Sequence, residues 1–413
     1  MSPSDRRTFL RQTAGTAAAL ALTPSLDWAG RAARLREPVD VAVVGCGRQG
    51  RAILAELQKL EDVRIAAVCD VVESRLSSGL RRVRGAEGYP DHRALLDAQK
   101  DVSAVFVATP THLHRDVAVD ALQLGKHVYC EGPLASTLED CRAITAAARG
   151  AGTVFQTGMQ GRSNPIYKLA RSFYRSGAIR DAVSMRAQYH KKTSWRNPAR
   201  NPADEAALNW RLDPEVSLGL VGEFGTHQFD VFHWFHNRYP VAVSGGGSIR
   251  LHDDGRSVPD TVSCELVFPD GVRLHYSATL ANSFDGDYEL IHGTMGALKL
   301  AWNAGWMFKE ADAPTQGWEV YANRQQFHNE QGITLIADAT KLAAQEKLKE
   351  GVGLPNPPLY YSVYDFLQSV TEGLPVACSA QEGLRAAAVA IAAQRAVSTG
   401  EAVAIDADQL EDE

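Results

Sequence analysis

Three glycines and an acid have the plainest chemical purpose in this chain. A β-branched run from Val39 leads into Gly45-Cys46-Gly47-Arg48-Gln49-Gly50, and a second run from Val63 ends at Asp70. Between them Ile53, Leu54 and Leu57 fall on one helical face. Strand, tight turn, helix, strand and acid, in that order, form the pattern that holds a dinucleotide. Gly45 permits the turn, Gly47 lets the backbone approach a pyrophosphate, and Gly50 lets helix and strand pack closely. The helix N-terminus, with Arg48 and Gln49, faces the phosphates. The alternative, a glycine-rich turn in an ordinary α/β protein, does not explain the flanking strands or the acid. A carboxylate at Asp70 accepts hydrogen bonds from ribose hydroxyls and repels a 2′-phosphate, so NAD is expected before NADP. Arg75 and Arg81 lie close in sequence and pull the other way.

A second set could move protons. Glu223 and His227 stand four residues apart and share a face if that segment is helical. A carboxylate beside an imidazole raises its basicity and fixes its tautomer, which suits a general base. A satisfied structural histidine is the alternative, and residue type alone favours it. Arg162, Trp195, Trp210 and Arg211 offer aromatic faces for C–H surfaces and guanidinium groups for hydroxyls or an acid, although single residues of these types are more often structural. His190 and Lys192 follow a strand and are either substrate contacts or an exposed basic strand end. His233 and His236 lie near His227, but imidazoles three apart among aromatics more often pack than bind metal, and no metal is expected.

The elements that must position these groups alternate at first. Strands at 102–108, 126–130 and 153–157 alternate with helical stretches, which predicts a parallel, doubly wound sheet. Ligands sit at the carboxyl ends of such strands. Thr109, Pro110, His112 and His114, then Glu131, then Gly158 therefore face the nucleotide. Beyond residue 159 the pattern changes. Val262, Cys264, Leu266 and Phe268 alternate, Pro269-Asp270-Gly271 turns the chain, and Val272, Leu274, Tyr276, Ala278 and Leu280 continue the alternation: an antiparallel hairpin in a half-buried sheet. Segments 360–372 and 381–399 read as helices, and 351–359 as a connecting loop.

The chain has 413 residues, 45% hydrophobic and 22% charged, enough for two domains. A net charge of −6 gives no hint of a nucleic-acid partner. No apolar run would span a membrane in a mature protein. Arg6-Arg7, an alanine-rich run from Ala14 to Leu22 and Pro24 resemble a twin-arginine export signal, followed by linker. Six cysteines show no C-x-x-C spacing and read as small buried hydrophobes. The expected divisions are signal and linker 1–37, nucleotide domain 38–158, substrate and oligomerisation domain 159–375, and a returning C-terminal helix in 376–413.

Four stretches together resemble the Gfo/Idh/MocA family: Gly45-x-Gly47-x-x-Gly50, the Thr109–His114 run, Glu131-x-Pro133, and Gly222-Glu-Phe-Gly-Thr-His227-Gln-Phe-Asp230. The resemblance covers nearly everything from Val39 onward. It implies a Rossmann domain followed by an α+β domain whose large, mostly antiparallel sheet makes a homodimer or homotetramer. It implies sugar, polyol or glycoside substrates, with Asp230 and the contacts named above near them. It also favours His227, with Glu223 and Glu131, as catalytic. The family's Glu-Lys-Pro reads Glu131-Gly132-Pro133 here, so the proton-relay lysine is missing. The expectation is an exported, NAD-dependent oxidoreductase acting on a secondary alcohol. An NAD-dependent glycosidase using transient oxidation is the alternative, and a non-catalytic nucleotide-containing binding protein the second alternative.

Overall fold

The computed structural model describes residues 34–411 apart from 317–318, 320–321, 329, 338–341 and 343–352. Residues 1–33, with the expected export signal, lie outside the described residues, as does the start of the expected 351–359 loop. The described residues from Leu35 onward form one compact unit.

The first sheet holds β1 (Val39–Val44), β2 (Val63–Cys69), β3 (Glu87–Tyr89), β4 (Ala104–Val107), β5 (His127–Glu131) and β6 (Phe155–Gly158). They lie in the order β3-β2-β1-β4-β5-β6, all parallel. Helices cover both faces, so the central strands are apolar on both sides: Val41, Ala42 and Val43 are fully buried. Ile53, Leu54 and Leu57 of the Arg48–Leu57 helix are buried as their spacing requires. Strand order reverses between β1 and β4, which opens a crevice at their carboxyl ends.

The second sheet holds β7 (Ala182–His190), β8 (Ala242–Ser248), β9 (Thr261–Val267), β10 (Arg273–Thr279), β11 (Asp287–Gly293), β12 (Gly296–Ala301), β13 (Ala304–Lys309), β14 (Arg324–Gln326), β15 (Gln331–Thr334) and β16 (Val403–Ala404). Among the described residues its order is β14-β15-β13-β12-β11-β7-β10-β9-β8-β16, antiparallel except where β7 meets β10. The expected hairpin forms, pairing Leu274 with Leu266 and Tyr276 with Cys264, and its alternating apolar residues are all buried. The opposite face is not apolar: Ser263, Arg273 and His275 are exposed, and Glu265 pairs with Arg273 and His275. An apolar driving force for self-association through this face is therefore missing along the hairpin.

The Gly219–His236 helix lies on the sheet's buried face. The Pro358–Glu372 helix packs on the nucleotide sheet, with Phe366 edge-on to Phe106 at 5.3 Å and Ser362 Oγ 3.0 Å from Tyr129 Oη. The return to the nucleotide domain thus begins before residue 376. The Ala380–Thr399 helix then runs along both halves. All six cysteines are free and buried. Among the described residues no helix is long and apolar enough to cross a membrane.

Candidate active site

The turn after β1 is as tight as three glycines allow. Gly45 has φ +99°, and a Cβ there would lie 2.4 Å from Ala108 O, at the reversal point between β1 and β4. A Cβ on Gly50 would lie 1.7 Å from Gly45 O. Gly47 instead faces open space, its nearest neighbour being Arg75 Nη1 at 4.0 Å from the Cβ position. It also ends the Arg48–Leu57 helix without a side-chain cap, leaving the first N–H groups for an anion. Asp70 accepts from Cys46 N at 2.7 Å and Val72 N at 2.9 Å, which fixes its carboxylate at the tip of β2. Burial raises its pKa, while those two N–H groups, Arg75 and Arg51 pull it down.

Gly45, Gly47, Asp70, Arg75 and Ala108 line one cleft of about 1520 Å³ that extends to His227. Thr109 Oγ1, His112 Nδ1, Arg211 Nε and His227 Nδ1 are buried, find no hydrogen-bond partner among the described residues and belong to cleft-lining residues. Leaving such a group unpaired costs about 1–3 kcal/mol, so a polar ligand in the cleft is their natural complement. The glycine cradle, the oriented carboxylate and these four atoms fit a dinucleotide.

At the far end Glu131 closes β5 and receives Gln49 Nε2 at 3.0 Å. Burial pushes its carboxyl up to about 7, against hydrogen bonds from Gln49, Tyr129, the Gly132 N–H and Gln160. A Cβ on Gly132 would meet Met159 Cε at 3.0 Å and His227 Cε1 at 3.1 Å. Burial lowers the proton affinity of His227, with the Asp230 charge and the Gly132 carbonyl opposing. Glu223 Oε2 accepts from Thr111 Oγ1 at 3.1 Å and lies 3.8 Å from Arg211 Nε. The Arg211 guanidinium lies 4.4 Å from the Trp210 ring and 5.9 Å from Trp195, and Trp210 in turn lies 5.9 Å from His112. Tyr189 stacks on Phe224 at 3.9 Å and takes a bond from Arg48.

Models of one oxidoreductase family match this chain twice: an NAD-binding Rossmann fold over residues 39–159 and a C-terminal alpha/beta domain over 187–405. The chain belongs to the Gfo/Idh/MocA family. A levoglucosan dehydrogenase from Pseudarthrobacter phenanthrenivorans is 32% identical over 241 residues, 53% of this chain and 60% of its own length. A 2,7-anhydro-N-acetylneuraminate hydratase from Escherichia coli is 26% identical over 264 residues, 63% of this chain and 67% of its own length. A solved levoglucosan dehydrogenase in complex with NADH has TM-score 0.71 at 20% identity, covering 90% of this chain and 100% of that one, a likeness of fold.

Within this Gfo/Idh/MocA framework several expected residues take other places. Glu223 does not hydrogen-bond His227: its carboxylate turns to Thr111, Leu218 N and Arg211, and His227 becomes less basic rather than more. Arg162 and Asp230 are 6% and 2% exposed and bind each other, Nη2 to Oδ1 at 2.7 Å, instead of lining the cleft. His190 and Lys192 also lie outside it. Side chains alternate along β7, so Tyr189 faces the cleft while His190 points to Ser277 and Phe284 O on the other face. Both ring nitrogens of His114 lie against backbone carbonyls, Pro133 O and Thr109 O at 3.0 Å, so it braces two loops and leaves none for a ligand. His233 and His236 pack on Tyr239 and Phe268 and face Glu382 and Asp270. Tyr189, Gln160 and Trp302 line the site without any motif marking them.

Glu131 gives a testable pH dependence. Its carboxyl titrates near 4.5 when unfolded and about 7 when folded. Between those values the folded state binds more protons, so stability falls as pH rises through that window. Glu131→Gln keeps the shape and removes the ionisation. The variant should lose up to about 3 kcal/mol of the wild-type fall between about pH 5 and 8 in chemical denaturation. Buried Glu289, also at about 7, keeps its share in both proteins. Identical falls would contradict the assignment.

Proposed function

We propose that this chain is an NAD-dependent oxidoreductase acting on a secondary alcohol of a sugar, polyol or glycoside, with His227 as the proton acceptor. The observation behind this reading is that His227 lines the same cleft as the Gly45–Gly50 turn and packs against Gly132 at the end of β5. Bound NAD supplies a hydride acceptor at its nicotinamide. The turn and the helix N-terminus would hold the pyrophosphate, Asp70 the adenosine ribose, and Glu131 with Gln49 the reacting end. His227 is neutral near pH 7 because burial lowers its proton affinity, and a neutral imidazole can take the hydroxyl proton. Arg211 and Glu223 offer opposite charges to substrate hydroxyls, and Trp195 and Trp210 form the adjoining wall. Levoglucosan, in the name of the 32% identical relative, is the first substrate to test.

A redox-neutral course is the second reading. Gly132 stands where the family has its relay lysine, and one relative is named a hydratase. In that course a ring hydroxyl would be oxidised only transiently, the aglycone would be eliminated, water would add to the resulting double bond and the hydride would return to the sugar. In heavy water it would place deuterium beside the transient ketone and leave no lasting nicotinamide absorbance.

The alanine-rich N-terminus with Arg6-Arg7 further supports export by the twin-arginine route to the periplasm. Cytoplasmic retention on replacing both arginines by lysine is the check. A homodimer or homotetramer through the second sheet is also proposed. Its polar hairpin face calls for ion pairs and hydrogen bonds at the contact, and a monomer mass in light scattering would count against it.

His227→Ala should lower turnover by about 10²–10⁴, the scale of a lost general base, with NADH binding little changed. Wild-type turnover in that variant would return His227 to a structural role.

A further inference from the structure

Residues 191–218 leave β7 and run along the cleft before entering the Gly219–His236 helix. The segment contains a short helix, Glu205–Asn209, between two single turns, Pro202–Asp204 and Trp210–Leu212. Trp195, Trp210 and Arg211 line the cleft near Glu223, and Asn201, Asp204 and Leu208 line it too.

Its hydrogen bonds and ion pairs lie on the substrate side. Arg196 Nε reaches Asp254 Oδ2 at 2.9 Å, and Asp254 is held by Arg256 at 2.7 Å. Asn197 N donates to Asn209 Oδ1 at 2.6 Å, and Asn209 Nδ2 returns a bond to Asn197 O at 2.9 Å. Trp195 packs on Phe224 at 5.7 Å. Among the described residues no hydrogen bond or ion pair joins 191–218 to the nucleotide domain. Besides the ring contact of Trp210 with His112 at 5.9 Å, longer-range charge crosses the cleft: Asp204 and Arg211 both act on or feel Arg75, whose guanidinium lies over Gly47.

The charges are unbalanced in a telling way. Burial makes Arg211 harder to keep charged; Glu223 offsets this, while Arg48 and Arg75 add to it. An anion at the Gly47 turn would turn this mutual repulsion into shared attraction, because Arg48, Arg75 and Arg211 would all face it.

We propose that residues 191–218 form a strap that closes over the dinucleotide from the substrate side and holds it between turnovers. The strap rests on the NAD-binding reading of the cleft. Its fastening to Asp254 fixes one side, and the bound pyrophosphate supplies the attraction on the other. Release of the dinucleotide then requires the strap to lift, so residence is set by the second domain as well as by the glycine turn.

The test uses the full chain loaded with NADH and chased with excess NAD, following nicotinamide fluorescence. An Arg196→Ala, Asp254→Ala double variant removes the fastening at partly exposed positions outside the cleft lining. Release should speed up about tenfold or more, since such changes act chiefly on dissociation. In the wild type, protease cleavage within 191–218 should slow by a similar factor when NADH is added. NADH binding with unchanged release and unchanged cleavage would overturn the strap alone. Absence of NADH binding to the wild type would overturn the cofactor assignment and the strap with it.

Discussion

The buried ion pair between Arg162 and Asp230 sets the site's geometry. Arg162 follows β6 on the short Gln160–Ser163 helix, and Asp230 lies one turn beyond His227. The guanidinium binds both Asp230 oxygens and reaches Glu382 of the Ala380–Thr399 helix at 2.6 Å. Three segments from distant parts of the sequence thus meet at one cation. Such a pair adds little net stability over an apolar contact, but removing one partner leaves an uncompensated buried charge and costs about 3–5 kcal/mol. Its value here is register. It fixes the Gly219–His236 helix so that His227 meets Gly132 at the end of β5.

That meeting explains the departure from Glu-Lys-Pro. The Cβ position of residue 132 is bounded by Met159 and His227 at 3.0–3.1 Å, so any side chain there requires one of them to give by a few tenths of an ångström. The reacting end therefore has an imidazole kept neutral by burial, a carboxyl titrating near neutrality and a guanidinium paired at 3.8 Å with Glu223. In the proposed reaction, proton movement would depend on these groups, with no amine at position 132.

The nucleotide half was legible in the sequence because its constraints are local. Gly45, Gly50 and Asp70 are dictated by backbone contacts within one strand-turn-helix-strand unit, so residue type and spacing reveal them. The hairpin was legible for the same reason: a period of two writes the buried face directly into residues 262–280. The substrate end depends on contacts between distant segments. Arg162 and Asp230 have the chemistry of sugar ligands and turn out to bind each other. Tyr189 and His190 are neighbours in sequence, and only the phase of β7 decides which one sees the cleft. Glu223 and His227 do sit one turn apart, but the reach of Thr111 and Arg211 to Glu223 is invisible in local spacing.

Both the dehydrogenase and the redox-neutral courses share one event, hydride transfer between a sugar carbon and the nicotinamide in this cleft. The direct measurement is a single turnover of NAD-loaded protein with levoglucosan and cyclic polyols deuterated at the carbinol carbons, quenched early and analysed by mass spectrometry. Deuterium on the recovered nicotinamide is the expected result. Sugar binding without any deuterium on the nicotinamide would contradict hydride transfer at this site.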